Sequence, residues 1–180
     1  MSPLAAIDGV LAVVAAWLAV GLAGAAFPRN FRLVAHALFP LSALLSVVLA
    51  ALAIAALPAP AQVAVLPLGL PGLPFHIRVD ALAAFFLAIL GLASAGISIF
   101  AAGYFRTGEG TPPGIMCLQY HVFLAAMVMV LVSDDAYVFM VSWELMALAS
   151  FFLVTTNHRI PEIQRAGYLY LLIAHIGCAR

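Results

Sequence analysis

One carboxylate, Glu144, sits inside "VFMVSWELMALASFFLV" (138–154), a stretch with no other charge. It lies eight residues beyond Ala136, where the apolar run begins, or about 12 Å at the helical rise. That is near the midplane of a ~30 Å hydrocarbon core. The side chain is too short to reach the interface, and an ionised acid at this depth costs at least ~2.5–3.5 kcal/mol even on lenient insertion scales. Surroundings this apolar favour the neutral form unless a cation or water compensates. A group that takes and releases a proton is what a proton relay requires. The bland alternative is a protonated Glu144 acting as hydrogen-bonded glue between helices.

His175 is the expected partner. It falls about nine residues into a helix expected from Ala166, roughly 14 Å deep. Glu144 is about twelve residues from the same side on its own helix, roughly 18 Å deep. The two lie within about one turn in depth, and a short connection makes their helices neighbours. Imidazole passes protons at neutral pH, although a histidine donating to a backbone carbonyl reads equally well. His121 and Asp80 are possible accessory proton groups.

His36 and His121 fall near the ends of the second and fourth apolar runs, where an amphipathic ring suits an interface. Two histidines at similar depth also raise haem ligation, but nothing else points to it. No cofactor and no metal is expected. Asp80 beside Arg78 reads as an interfacial ion pair or helix cap, and Asp134 and Asp135 as a solvated turn. Cys117 and Cys178 lie in different apolar segments without metal-ligand spacing and read as buried reduced thiols. There is no nucleotide-binding glycine pattern, iron–sulfur cysteine run or Ser/His/Asp constellation.

These residues need membrane-spanning elements to position them. The 180 residues are 67% hydrophobic and 8% charged, with mean hydropathy +1.20. Soluble domains are about 45–50% apolar and about 25% charged, so a core of this size could not hide such a surface. The fold class is therefore an all-α polytopic transmembrane bundle. Net charge is zero, which gives no electrostatic case for nucleic acid. The lipid bilayer is the expected surrounding. All seven basic residues are arginine.

Helices are expected at about 4–27, 33–57, 79–104, 115–132 and 136–156, with a sixth from about 166 to 180. Pro40 is expected in the first turns of the second helix, where its missing donor costs little. "SDD" (133–135) can cap the fifth helix. Residues 58–78 carry two short β-prone runs around a Pro/Gly centre and read as a hairpin. Residues 4–27 contain "AGA" at Ala23–Ala25. The run is nonetheless too long for a signal peptide, its start has no positive charge, and it reads as a retained helix. Fifteen residues remain from Ala166 to Arg180, too few to cross a bilayer, so the chain is expected to be a fragment cut inside its sixth helix.

Arginine counts set an orientation. Arg29, Arg32, Arg106, Arg159 and Arg165 fall in connections on one side, and Arg78 alone on the other. The five-arginine side is expected to be cytoplasmic, with the N-terminus and hairpin outside, across a bacterial inner membrane. Asp8, Asp80, Asp134 and Asp135 then lie at outer helix ends.

"WELMALASFFLV" around Glu144 is similar to the fifth-helix signature of antiporter-like subunits of respiratory complex I and of Mrp-type antiporters. "RVDALAAFFLAILGLASAGISIFAAGYF" resembles the family's segment that opens with an Asp after an outer hairpin. "RAGYLYLLIAHIG" resembles the hydrogenase-4 and formate hydrogenlyase membrane subunits. The resemblance runs from Arg78 to the end; residues 1–77 match only in hydropathy. It implies a fold of about fourteen helices with two inverted five-helix repeats, an outward N-terminus, and a role for Glu144 in proton translocation opposite a lysine on a later helix. This chain has no lysine, and the family's broken helices are absent from it. The implied partners are other membrane subunits and a peripheral hydrogenase or dehydrogenase arm that carries the redox chemistry.

The function expected is an ion-translocating membrane subunit of an energy-converting hydrogenase of the formate hydrogenlyase type. The equivalent subunit of an NADH–quinone oxidoreductase or a cation/proton antiporter is the alternative. A scaffold or haem-anchor subunit is a third reading.

Overall fold

The protein is described by a computed structural model that covers residues 4–70, 72–104, 111–156 and 161–178. Five helices in it are long and apolar enough to cross a membrane: α1 (Leu4–Ala26), α2 (Phe31–Ala56), α3 (Ala81–Tyr104), α4 (Pro113–Val132) and α5 (Ala136–Val154). A two-stranded hairpin, β1 (Gln62–Leu70) and β2 (Leu73–Val79), joins α2 to α3, and α6 (Pro161–Cys178) follows α5. Arg106 and Arg159, two of the arginines counted for orientation, lie outside the described residues.

Local chemistry fixes where the helices begin. Asn30 accepts from the Leu33 amide at 3.2 Å, Asp80 from Ala83 at 2.8 Å and Asp135 from Val138 at 2.7 Å. Each side chain satisfies an amide that the first turn leaves without a carbonyl. α4 and α6 start instead on Pro113 and Pro161, where proline's fixed φ suits a helix and its missing N–H is not needed. α6 therefore starts earlier than the expected 166. Glu162 lies in its first turn, where a carboxylate is favoured by the helix dipole.

α2 departs from the expected regular helix. It begins at Phe31, so Pro40 falls well inside it rather than in its first turns. Residues Val34–Leu38 widen into a π-helical segment, and the Phe39 amide bonds to the Val34 carbonyl. A proline clashes with the carbonyl four residues back and donates nothing to it. The wider turn absorbs that misfit and keeps α2 continuous.

The most extensive packing joins α2 to α3, α1 to α4 and α4 to α5. One apolar cluster, built around Trp17, Leu49, Ile77, Leu87 and Val128, ties four helices to the hairpin. A second, around Val34, Phe39 and Cys117, lies beside the π segment. Between helices in hydrocarbon there is no hydrophobic drive, so close backbone approach matters more. At Gly91 a Cβ would stand 2.7 Å from the Ala50 amide and 2.8 Å from the Ser46 carbonyl.

The hairpin is antiparallel, pairing Gln62 with Val79 and Ala64 with Ile77. Its register shifts between Leu66 and Gly69, and Gly69 takes φ +116°, which few other residues tolerate. Ile77 and Val79 are buried, while Val63 and Val65 face outward. Ile77 forms an isolated antiparallel bridge with Ser133, and the Asp134 amide donates to the His76 carbonyl at 3.0 Å. The hairpin is thus fastened to the turn between α4 and α5.

The close approach at Gly91 predicts a selective defect. Gly91→Ala should destabilise the bundle by about 1–3 kcal/mol, the usual cost of overpacking. Gly96→Ala, on the same helix with open space around it, should be neutral or stabilising by up to ~1 kcal/mol. Unfolding both variants in detergent micelles checks the contrast.

Candidate functional site

Glu144 lies on α5, about 12 Å from Ala136 and about 15 Å from Val154 along the axis. It is half-buried, between exposed Trp143 and Leu145. α5 is the least covered of the five candidate spans. The face that carries Val141, Leu145, Leu148 and Phe152 is open. The acid therefore sits at the edge of the described bundle and not in its centre.

α6 packs against α5. Gly167 lies against Thr155 and Phe151, and the Ser150 and Tyr170 hydroxyls are 2.7 Å apart. The backbone of His175 is on α6, about 21 Å from Pro161 along the helix. Its side chain lies outside the described residues, so the Glu144–His175 pairing stays a proposal.

His121 differs from the interfacial reading. Its side chain is wholly buried. Nδ1 is 2.6 Å from the Cys117 carbonyl, one turn earlier on α4. The ring is 5.3 Å from that of Tyr120 and 6.2 Å from that of Phe39. The hydropathy of the surrounding run carries no signal of which way the ring points, which is why its burial was not legible. His36, by contrast, is exposed within the π segment. An enclosed ring and an outward one do not share one open face, and the geometry gives no support to a haem held by the pair.

Asp80 caps α3 and lies 3.9 Å from Arg78. Asp134 and Asp135 are not simply a solvated turn. Asp134 stands 3.7 Å from Arg78. The Asp135 carboxylate accepts from the Val138 amide at 2.7 Å and the His76 amide at 3.3 Å, and meets His76 Nδ1 at 3.0 Å. His76, Arg78, Asp80, Asp134 and Asp135 thus gather at the hairpin end, beside a cavity of about 400 Å³ lined by Arg78, Asp80, Ser133 and Asp134. The bond from Val138 leads in holding Asp135 below its ordinary value, with His76 adding to it.

A second polar group was not anticipated from the sequence. The Tyr120 hydroxyl donates to the Ser94 carbonyl at 3.2 Å, Ser98 Oγ is 3.1 Å from Tyr120, and Ser42 Oγ is 3.3 Å from Ser98. The chain crosses α2, α3 and α4. Its only trace in the sequence is the four-residue spacing of Ser42 with Ser46 and of Ser94 with Ser98.

These polar groups belong to a multi-pass helical frame, and known proteins can be set against it. The chain is similar to hydrogenase-4 component B. The Escherichia coli (strain K12) protein of that name is 38% identical over 101 residues, which cover 56% of this chain and 15% of that protein. Uncharacterized proteins from two strains of Mycobacterium tuberculosis are 34% identical over 104 residues, or 57% of this chain and 16% of theirs. The matched stretch thus spans about one sixth of the length of these relatives. No family model matches the chain.

The hairpin-end geometry predicts an acid transition. The Asp135 carboxylate is favoured in its charged form by folding, so its contribution is present above the ordinary value of 3.8 and is lost as pH falls through its lower folded value. The protection of the His76 and Val138 amides, taken relative to their intrinsic exchange rates, should therefore fall in acid below 3.8. Asp135→Asn should already exchange faster at neutral pH and should show a flatter acid response.

Proposed function

We propose that the chain is part of a proton-translocating membrane subunit of a hydrogenase-4-type complex, with Glu144 as the site that takes and releases the proton. The observation that carries this reading is a half-buried carboxylate about 12–15 Å from either end of an apolar span. Intramembrane acids are functional by default. The likeness to hydrogenase-4 component B favours a hydrogenase partner over an NADH-oxidising one.

The proposed logic is electrostatic. A cation brought near Glu144 stabilises the carboxylate and expels the proton; its withdrawal lets the proton return. The open face of α5 is where such a group would arrive. In a protein of the relatives' length, further helices would cover that face and could bring a lysine to it. His175 on α6 is the proposed neighbour for proton exchange, with His121 and Asp80 as accessory groups. The redox chemistry belongs to a peripheral arm, and other membrane subunits complete the complex. In this reading the arginine count favours a hairpin end outside and an opposite end in the cytoplasm.

The intact complex tests this reading. Glu144→Gln keeps the shape and the hydrogen-bonding capacity and removes the titration. Assembly should be unchanged, while proton translocation measured in vesicles falls several-fold. Undiminished translocation would remove Glu144 from the mechanism.

A further inference from the structure

His121 carries a site that Glu144 does not explain. A backbone carbonyl only accepts, so the 2.6 Å contact with Cys117 fixes the proton on Nδ1. In the neutral ring Nε2 is then a bare acceptor. The whole residue is 0% exposed, and among the described residues no donor reaches Nε2. A buried acceptor left without a donor costs about 1–3 kcal/mol, and native interiors meet that need with internal water.

The surroundings are closed on several sides. On α1, a Cβ at Gly21 would stand 3.2 Å from the His121 Cβ, so the backbone of α1 lies directly against the residue. Phe39, presented by α2 just after the π segment, and Tyr120 flank the ring. The titratable groups in contact with it are Cys117, whose Sγ is 3.5 Å from Nδ1, and Tyr120; the contacts recorded from α1 and α2 are with Gly21 and Phe39. Tyr120 in turn belongs to the hydroxyl chain that runs through Ser98 to Ser42. A bare ring nitrogen and a string of hydroxyls therefore stand side by side within the span, about 12 Å from the start of α4.

We propose that Nε2 of His121 binds an internal water within the membrane-spanning bundle, making a second hydrated polar site distinct from Glu144. The ligand is a water that donates to the imidazole. The π segment serves this site by seating Phe39 against the ring. The proposal holds whether or not Glu144 moves protons.

The test is solid-state NMR of the intact protein in bilayers with nitrogen-labelled histidine. A chain in which His36, His76, His158 and His175 are replaced by Gln leaves His121 as the sole histidine. If that chain does not fold, the spectrum of His121→Asn subtracted from that of the unaltered protein isolates the same signal. The expected result is a protonated Nδ1 and an unprotonated Nε2 that receives magnetisation from water. A ring that receives none, or one with the proton on Nε2, overturns the proposal. Because the readout is hydration, a Glu144→Gln variant that leaves translocation unchanged would not alter it.

Discussion

In hydrocarbon no water completes the hydrogen bonds of the backbone, and the chain is built around that constraint. Each span satisfies its own amides and carbonyls internally. The exceptions fall where something else can serve. Helix starts use Asn30, Asp80 and Asp135, or a proline that has no amide to satisfy. The opening turns of α1 reach the hairpin, where the Ile7 amide meets Gln62 Oε1 at 3.4 Å. At the opposite end the Gly114 amide bonds to the Pro28 carbonyl at 3.0 Å, and Thr111 Oγ1 to the Thr156 carbonyl at 2.9 Å. Irregular backbone is thus tied at both ends of the bundle. The one irregularity inside a span among the described residues, the π segment of α2, keeps its amides bonded by lengthening the loop of each bond.

The hairpin shows which forces dominate at the bundle's end. Ile77 and Val79 are 1% and 4% exposed, and full burial of one such side chain is worth about 1.5–3 kcal/mol. The ion pairs of Arg78 with Asp80 and Asp134 are long and solvent-exposed, and such pairs contribute about 0–1 kcal/mol each. Apolar contact therefore seats the hairpin. The same burial fixes its register, because a slip of one residue would turn Ile77 outward, and the bridge from Ile77 to Ser133 and the bonds to Asp135 are met in that alignment.

The five spans were legible because each is a long apolar run that leaves no other fold open to it. Asp80 was legible as a cap or an ion-pair partner and is both, and a cap within "SDD" was legible without showing that Asp135 supplies it. Three features were not. Pro40 looked harmless because the hydropathy of "NFRLVAHAL" hides that the helix begins at Phe31, which puts the proline deep enough to need a wider turn. The start of α6 was hidden by "EIQR", polar residues that end a hydropathy run without ending a helix. The hairpin-end cluster joins His76 to Asp135 across 59 positions, and no local pattern announces such a contact. Of the site residues, the depth of Glu144 followed from counting, whereas the burial of His121 depended on which face of α4 meets α1.

Glu144 and His121 lie at similar depth, about 15 Å and 12 Å from the ends of their helices opposite the hairpin, yet in opposite surroundings. His121 is held by a short bond to its own helix and closed in by α1, Phe39 and Tyr120. A ring so enclosed meets the same neighbours at all times unless helices part. Glu144 is half-buried on the least covered of the five spans, with apolar side chains exposed on either side of it. A charge can be brought to it or withdrawn without breaking the packed core. Switching requires a group whose electrostatic neighbours can change, because a fixed environment fixes one protonation state. This contrast in surroundings supports the proposals of Glu144 as the proton site and of an ordered water at His121.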